Sequence, residues 1–232
     1  MSKGLFITAT GTDIGKTYVT GLLVKKLRSA GLNTGYYKAA LSGAEETANG
    51  LLPGDADFVV RTANLPERPE QLVSYIYKTA VSPHLAAQLE GNPVEMSKIS
   101  ADFRAALQKY DYLTMEGSGG IICPIRWDSR HILLEDIIRT LGLGTLIISN
   151  AALGSINACV LTAFYLQQKK IPVRGIILNN YDEDDTMQRD NKKMMELLSG
   201  IPVIGSVKKD AAELDIDVQL LQSLYHTPTE RI

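Results

Sequence analysis

Short apolar runs rich in β-branched and aromatic residues recur at 5–10 (LFITAT), 34–40 (TGYYKAA), 112–117 (YLTMEG), 145–150 (TLIISN), 174–180 (RGIILNN) and 202–207 (PVIGSV). Near-continuous apolar runs of this length predict parallel strands buried on both faces. Between them the apolar positions fall three and four apart, as in Val19, Leu22, Leu23 and Leu27, or Ile156, Val160 and Phe164. Leu134, Ile137, Ile138 and Leu141 repeat the spacing and stop at Gly142. These segments predict helices, the last ended by a glycine. Strand and helix alternate throughout, which predicts an α/β fold: one open, mostly parallel sheet with helices on both faces. From Ser42 to Asn92 the periodicity weakens and Gly and Pro recur, so this stretch is expected to be loose. After Ile216 a helical pattern returns.

In such a sheet, ligands bind beyond the carboxyl ends of the strands. The first run leads into Thr10-Gly11-Thr12-Asp13-Ile14-Gly15-Lys16-Thr17 and then into a helical pattern. Strand, turn and helix start are the context of a phosphate-binding P-loop, although Thr10 stands where the usual pattern has its first glycine. Backbone N–H groups of the turn and of the helix N-terminus converge on one point and favour an anion there. Lys16 adds a charge for the β- and γ-phosphates, and the Thr17 hydroxyl can ligate Mg²⁺. Gly11 occupies the place of the signature lysine of switch-like, dimer-positioning ATPases, which disfavours that class.

The other strand ends supply further chemistry. Lys38 closes the second run, facing either the same crevice or solvent. Glu116 ends the third run, where an acid is costly to bury unless paired or bound to metal. Asp55 is a candidate third oxygen ligand, with Asp57 as its competitor and a helix-capping carboxylate as the alternative for both. Gly154 and Ser155 open a helix and can expose N–H groups to a carboxylate. The amide of Asn179 can meet an adenine edge or form a turn. Ser82 and Pro83 suit a helix start, the run DEDD at 182–185 suits another, and His84 is assigned no chemistry. Trp127, Tyr36 and Tyr37 are read as packing residues.

Composition narrows the class. With 24 basic and 26 acidic residues the formal net charge is −2, so no basic field marks a nucleic-acid partner. Cys123 and Cys159 fit neither metal nor disulfide spacing and are expected as reduced core thiols. No apolar run is long enough to span a membrane, and no repeat or linker divides the chain. The expectation is one domain over residues 1–232, cytoplasmic, with no membrane or nucleic-acid partner.

The pieces ATGTDIGKT, KAALSG, GDAD, SPHLAA, EGSGG followed by Pro124, LGSINACVLTA and ILNN, in this order, resemble the dethiobiotin synthetases. Members of that family also lack the first P-loop glycine. The resemblance implies a homodimeric P-loop ligase that closes a ureido ring on 7,8-diaminopelargonate, using CO₂, ATP and Mg²⁺. It implies that Lys16, Lys38, Thr12 and Ser42 serve catalysis, and that Thr12, Asp13, Ile14, Gly15, Lys16, Thr17, Tyr18, Glu116 and Asn179 bind the nucleotide. It further implies Thr17, Asp55 and Glu116 as metal ligands. Ser42, Gly117, Gly154, Ser155, Ile156 and Asn157 would bind the substrate, the last four at its distal carboxylate and across a dimer interface. Two departures stand out: Ala39 follows Lys38 where the family has proline, and Ser118 replaces an alanine. The competing classes are a nucleotide-switched dimeric ATPase and a related domain repurposed for amidotransfer or regulation. The missing signature lysine disfavours the first, and the absence of a fused glutaminase disfavours the second.

Overall fold

A computed structural model of the chain describes residues 1–229. In chain order its elements are β1 (Lys3–Ala9), α1 (Lys16–Ser29), β2 (Thr34–Ser42), β3 (Glu45–Thr47), β4 (Gly50–Leu52), α2 (Gly54–Ala63), β5 (Val73–Tyr77), α3 (Pro83–Leu89) and α4 (Met96–Lys109). There follow β6 (Tyr112–Glu116), β7 (Pro124–Trp127), β8 (His131–Leu133), α5 (Leu134–Leu141), β9 (Thr145–Ser149), α6 (Ser155–Gln168), β10 (Val173–Asn179), α7 (Thr186–Ser199), β11 (Val203–Val207) and α8 (Val218–Ser223).

Seven strands form one parallel sheet in the order β11-β10-β9-β1-β6-β2-β5. Side chains alternate between its two faces, as the pleat requires. On β1, Phe6 enters the layer of α3 to α7, with Phe103, Ile137 and Ala163. Its neighbours Leu5 and Ile7 enter the layer of α1, α2 and α8, with Leu23, Val59 and Leu221. Both faces are therefore covered, which is why the strands read as nearly unbroken apolar runs.

All six expected strands are present, and a seventh, β5, lies in the stretch expected to be loose. At the sheet edge β5 buries only alternate residues, so it lacks the continuous apolar signature of a central strand. The same stretch also holds α2, α3 and the β3–β4 hairpin. Several local expectations hold. Gly142 ends α5 at φ 62°, Ser82 and Pro83 start α3, and α8 forms in the tail. The Asp185 carboxylate accepts from the Gln188 amide at the start of α7. Trp127 is a correction: it stands 48% exposed at the end of β7, stacked on His131, in a β7–β8 hairpin that lies outside the main sheet.

Candidate active site

The carboxyl ends of β1, β2 and β6 surround one open cleft of about 800 Å³, within the range of small-molecule sites. β1 delivers the chain into the turn at 10–15, which ends with Gly15 at φ 87°. That left-handed conformation suits glycine, and a Cβ there would lie 2.1 Å from the Asn179 amide nitrogen. No side chain caps α1 and no acidic residue occupies its first turn. Its N-terminal N–H groups and the helix dipole are thus free to meet an anion. Gly11, Thr12, Asp13, Gly15, Lys16 and Thr17 all line the cleft.

Neighbouring strands place the acid and the second cation side by side, because Lys38 of β2 is in register with Glu116 of β6. The Lys38 ammonium donates to Glu116 Oε1 at 2.8 Å, to Asp55 Oδ2 at 2.6 Å and to the Gly117 carbonyl at 3.1 Å. Glu116 Oε1 also accepts from the Thr17 hydroxyl at 2.8 Å and from Lys16 at 3.4 Å. Its other oxygen, Oε2, accepts from the Tyr36 hydroxyl at 3.2 Å. Glu116 is 1% exposed, so these donors are what make its burial tolerable.

The charges condition one another. Burial works against the charged form of Lys38, but Glu116 and Asp55 more than offset it and raise its pKa above the ordinary lysine value. Burial, and after it the Lys38 charge, pulls Lys16 below that value despite Glu116. For Asp55 burial pushes upward, yet the charge and hydrogen bond of Lys38 hold its carboxyl below the usual range. Asp57, the competing candidate, turns away and pairs with Arg61 one helical turn on, at 2.6 Å.

Ser42, at the end of β2, lines the cleft, and Leu41, Val81, Pro83, Ile122 and Pro124 give it an apolar wall. Cys123 lines it too, but burial pushes its thiol up to about 11, as it does for Cys159. Both therefore remain protonated near neutral pH. Asn179 closes β10 and is 3% exposed, while the turn residue with positive φ is its neighbour Asn180. Its amide donates to the Ile14 carbonyl at 2.9 Å, and its buried Oδ1 has no partner.

Two groups of expected residues lie elsewhere. Tyr18 donates its hydroxyl to the Ala211 carbonyl and packs against Phe58, so its side chain serves the α1 face. Gly154, Ser155, Ile156 and Asn157 start α6 outside the lining of this chain's own cleft. Ser155 spends its hydroxyl on the Ala152 carbonyl at 2.6 Å.

Among solved structures, the ParA family ATPase from Chlorobium tepidum TLS superposes with a TM-score of 0.57 at 15% identity, covering 96% of this chain and 90% of that one. A MinC:MinD cell division complex of Aquifex aeolicus gives 0.58 at 14% identity, with 96% and 86% covered. These likenesses establish the fold. A family model described as an AAA domain matches residues 3–213. An ATP-dependent dethiobiotin synthetase of Clostridium botulinum strain Eklund 17B is 49% identical over 97% of this chain and 99% of its own length. One from Brachyspira hyodysenteriae strain WA1 is 50% identical over 93% and 96%. The chain belongs to the dethiobiotin synthetase family.

Against that family's motifs, two contacts went unread in the sequence. Tyr36, taken for packing, packs and also holds Glu116. Ser118, noted only as a departure from the dethiobiotin synthetase pattern, donates to the Ala40 carbonyl at 2.8 Å and ties the loop after β6 to the end of β2. Strand alternation offered a signal for the first: Tyr36 lies two residues before Lys38 and shares its face.

Proposed function

We propose that this chain is an ATP-dependent dethiobiotin synthetase, closing a ureido ring on 7,8-diaminopelargonate with CO₂ and releasing ADP and phosphate. The observation that carries the reading is the meeting of Lys16, Lys38 and Glu116 in one cleft, in a chain about half identical to named dethiobiotin synthetases. One substrate amine captures CO₂ as a carbamate and loses a proton. The γ-phosphoryl group of ATP then passes to a carbamate oxygen, and the second amine attacks the activated carbon and expels phosphate. Such a transfer is promoted mainly by positioning and charge neutralisation.

The chain's own groups supply both. The turn N–H groups and Lys16 grip the β- and γ-phosphates. Lys38, held charged, faces the carbamate and the transferring group. The hydroxyls of Thr12 and Ser42 donate to oxygens of either, and the apolar wall accompanies the substrate's alkyl chain while limiting water. The unpartnered Asn179 Oδ1 is an acceptor of the kind an exocyclic base amino group requires, which suits adenine without selecting it over other amino-bearing bases.

Thr17 Oγ1, Asp55 and Glu116 are hard oxygens linked through Glu116 Oε1 and the Lys38 ammonium, a donor set whose chemistry fits Mg²⁺. Bound there, Mg²⁺ would neutralise β- and γ-phosphate charge. A homodimer is supported by exposed apolar side chains just before and along α6: Leu153 at 88%, Leu161 at 59% and Phe164 at 46%. A second copy covering that face would carry Gly154–Asn157 toward a neighbouring cleft. No helix of the described chain is long and apolar enough to cross a membrane.

The test is purified protein with ATP, Mg²⁺, bicarbonate and the diamine. Dethiobiotin and ADP should form in equal amounts, and omitting the diamine should abolish ADP release. ADP release that ignores the diamine would overturn the assignment.

A further inference from the structure

We propose that Tyr36 is a positioning residue that fixes the Glu116 carboxylate for metal binding, a role resting on the reading of Glu116 as a Mg²⁺ ligand. Glu116 Oε1 already serves three donors: the Lys38 ammonium at 2.8 Å, the Thr17 hydroxyl at 2.8 Å and Lys16 at 3.4 Å. A carboxylate turns readily about its last torsion, and donors on one oxygen alone do not set the plane of the group. The Tyr36 hydroxyl grips the opposite oxygen at 3.2 Å and is the one donor to Oε2 among the hydrogen bonds described. It thereby aims Oε1 at Thr17 and the P-loop.

The donor is itself rigid. The Tyr36 ring is fully buried in the layer that also holds Leu5, Ile7 and Leu23. Its backbone lies between Gly35 and Tyr37 in the β2–β6 ladder, in register with Thr114. Tyr36 and Lys38 are two residues apart on one strand, so a single pleated face presents a donor to each Glu116 oxygen. Outer hydrogen bonds of this kind orient ligating groups, and losing one typically weakens metal affinity about 10–100-fold.

The experiment measures how much Mg²⁺ tightens ADP binding, using N-methylanthraniloyl-ADP fluorescence with either Mg²⁺ or EDTA present. In Tyr36→Phe the ring packing is kept, and the ratio of the two dissociation constants should fall about tenfold while metal-free affinity stays near wild type. Incorporating 4-aminophenylalanine at position 36 returns an N–H donor and should restore the ratio. It also carries the test if Tyr36→Phe fails to fold. Glu116→Gln is the control. If it abolishes the Mg²⁺ effect and Tyr36→Phe does not lower it, the role of Tyr36 is overturned while the metal reading stands. If Glu116→Gln leaves the Mg²⁺ effect intact, the metal reading itself fails.

Discussion

Replacing Lys38 by methionine removes one charge at almost constant length and tests both the stability and the chemistry of the cleft. In the native chain the ammonium donates to Glu116, Asp55 and the Gly117 carbonyl. Its loss leaves Glu116 buried, with Lys16 at 3.4 Å as the nearest cation. Removing one partner of a buried pair generally costs about 3–5 kcal/mol. The low end applies here, since the Asp55 side chain is 39% exposed and can rehydrate, and Lys16 can move closer to Glu116. A loss of about 3 kcal/mol corresponds to about 6–12 °C in Tm for a domain of this size. Under the proposed mechanism, in which the Lys38 charge faces the transferring group, dethiobiotin formation should fall by about 10²–10³. Adding Glu116→Gln to Lys38→Met removes the orphaned carboxylate and should recover part of the stability with no recovery of turnover. Thermal melts and diamine-dependent ADP release measure the two effects separately. A Lys38→Met protein that melts with wild type, or a double variant no more stable than the single, would refute the buried-pair argument; near-native turnover would refute the assignment of Lys38 to the chemistry.

Two further outcomes follow from particular contacts. Gly15→Ala forces a side chain into a left-handed turn at φ 87° and onto Asn179, so ATP affinity should fall at least about tenfold and stability by about 1–3 kcal/mol, read by nucleotide titration and melting. The Asp55 carboxyl has a folded pKa below its unfolded one, so its pairing with Lys38 contributes stability above the ordinary aspartate range and loses it as pH falls through the folded value. Asp55→Asn should therefore flatten the acid limb of Tm against pH in metal-free protein, and an unchanged limb would contradict the pairing.

The local chemistry was legible because it is written in consecutive residues. A strand, a glycine turn and an uncapped helix start follow from side-chain preferences within a dozen positions, and Gly15, Lys16 and Thr17 fall where that sequence of preferences puts them. The six buried strands were equally readable, since covering both faces forces each run to be apolar throughout. The seventh was not, because an edge strand needs only alternate burial and β5 follows a polar, proline-rich stretch. The resemblance in motif order carried the cleft residues Lys38, Asp55 and Glu116 further than spacing alone could.

The sequence by itself thus determined which residue types stand at the strand ends and that a glycine turn and an uncapped helix start follow β1. Only the tertiary structure decided which of those side chains touch. The β2–β6 register sets Lys38 beside Glu116, and the packing of α2 brings in Asp55 while leaving Asp57 to Arg61. Tyr36 became a donor to Glu116, 80 positions away, through that same pairing. The physical reason is range: turns and helix starts are fixed by neighbours in the chain, whereas contacts between strand ends exist only once the sheet has set its order and register.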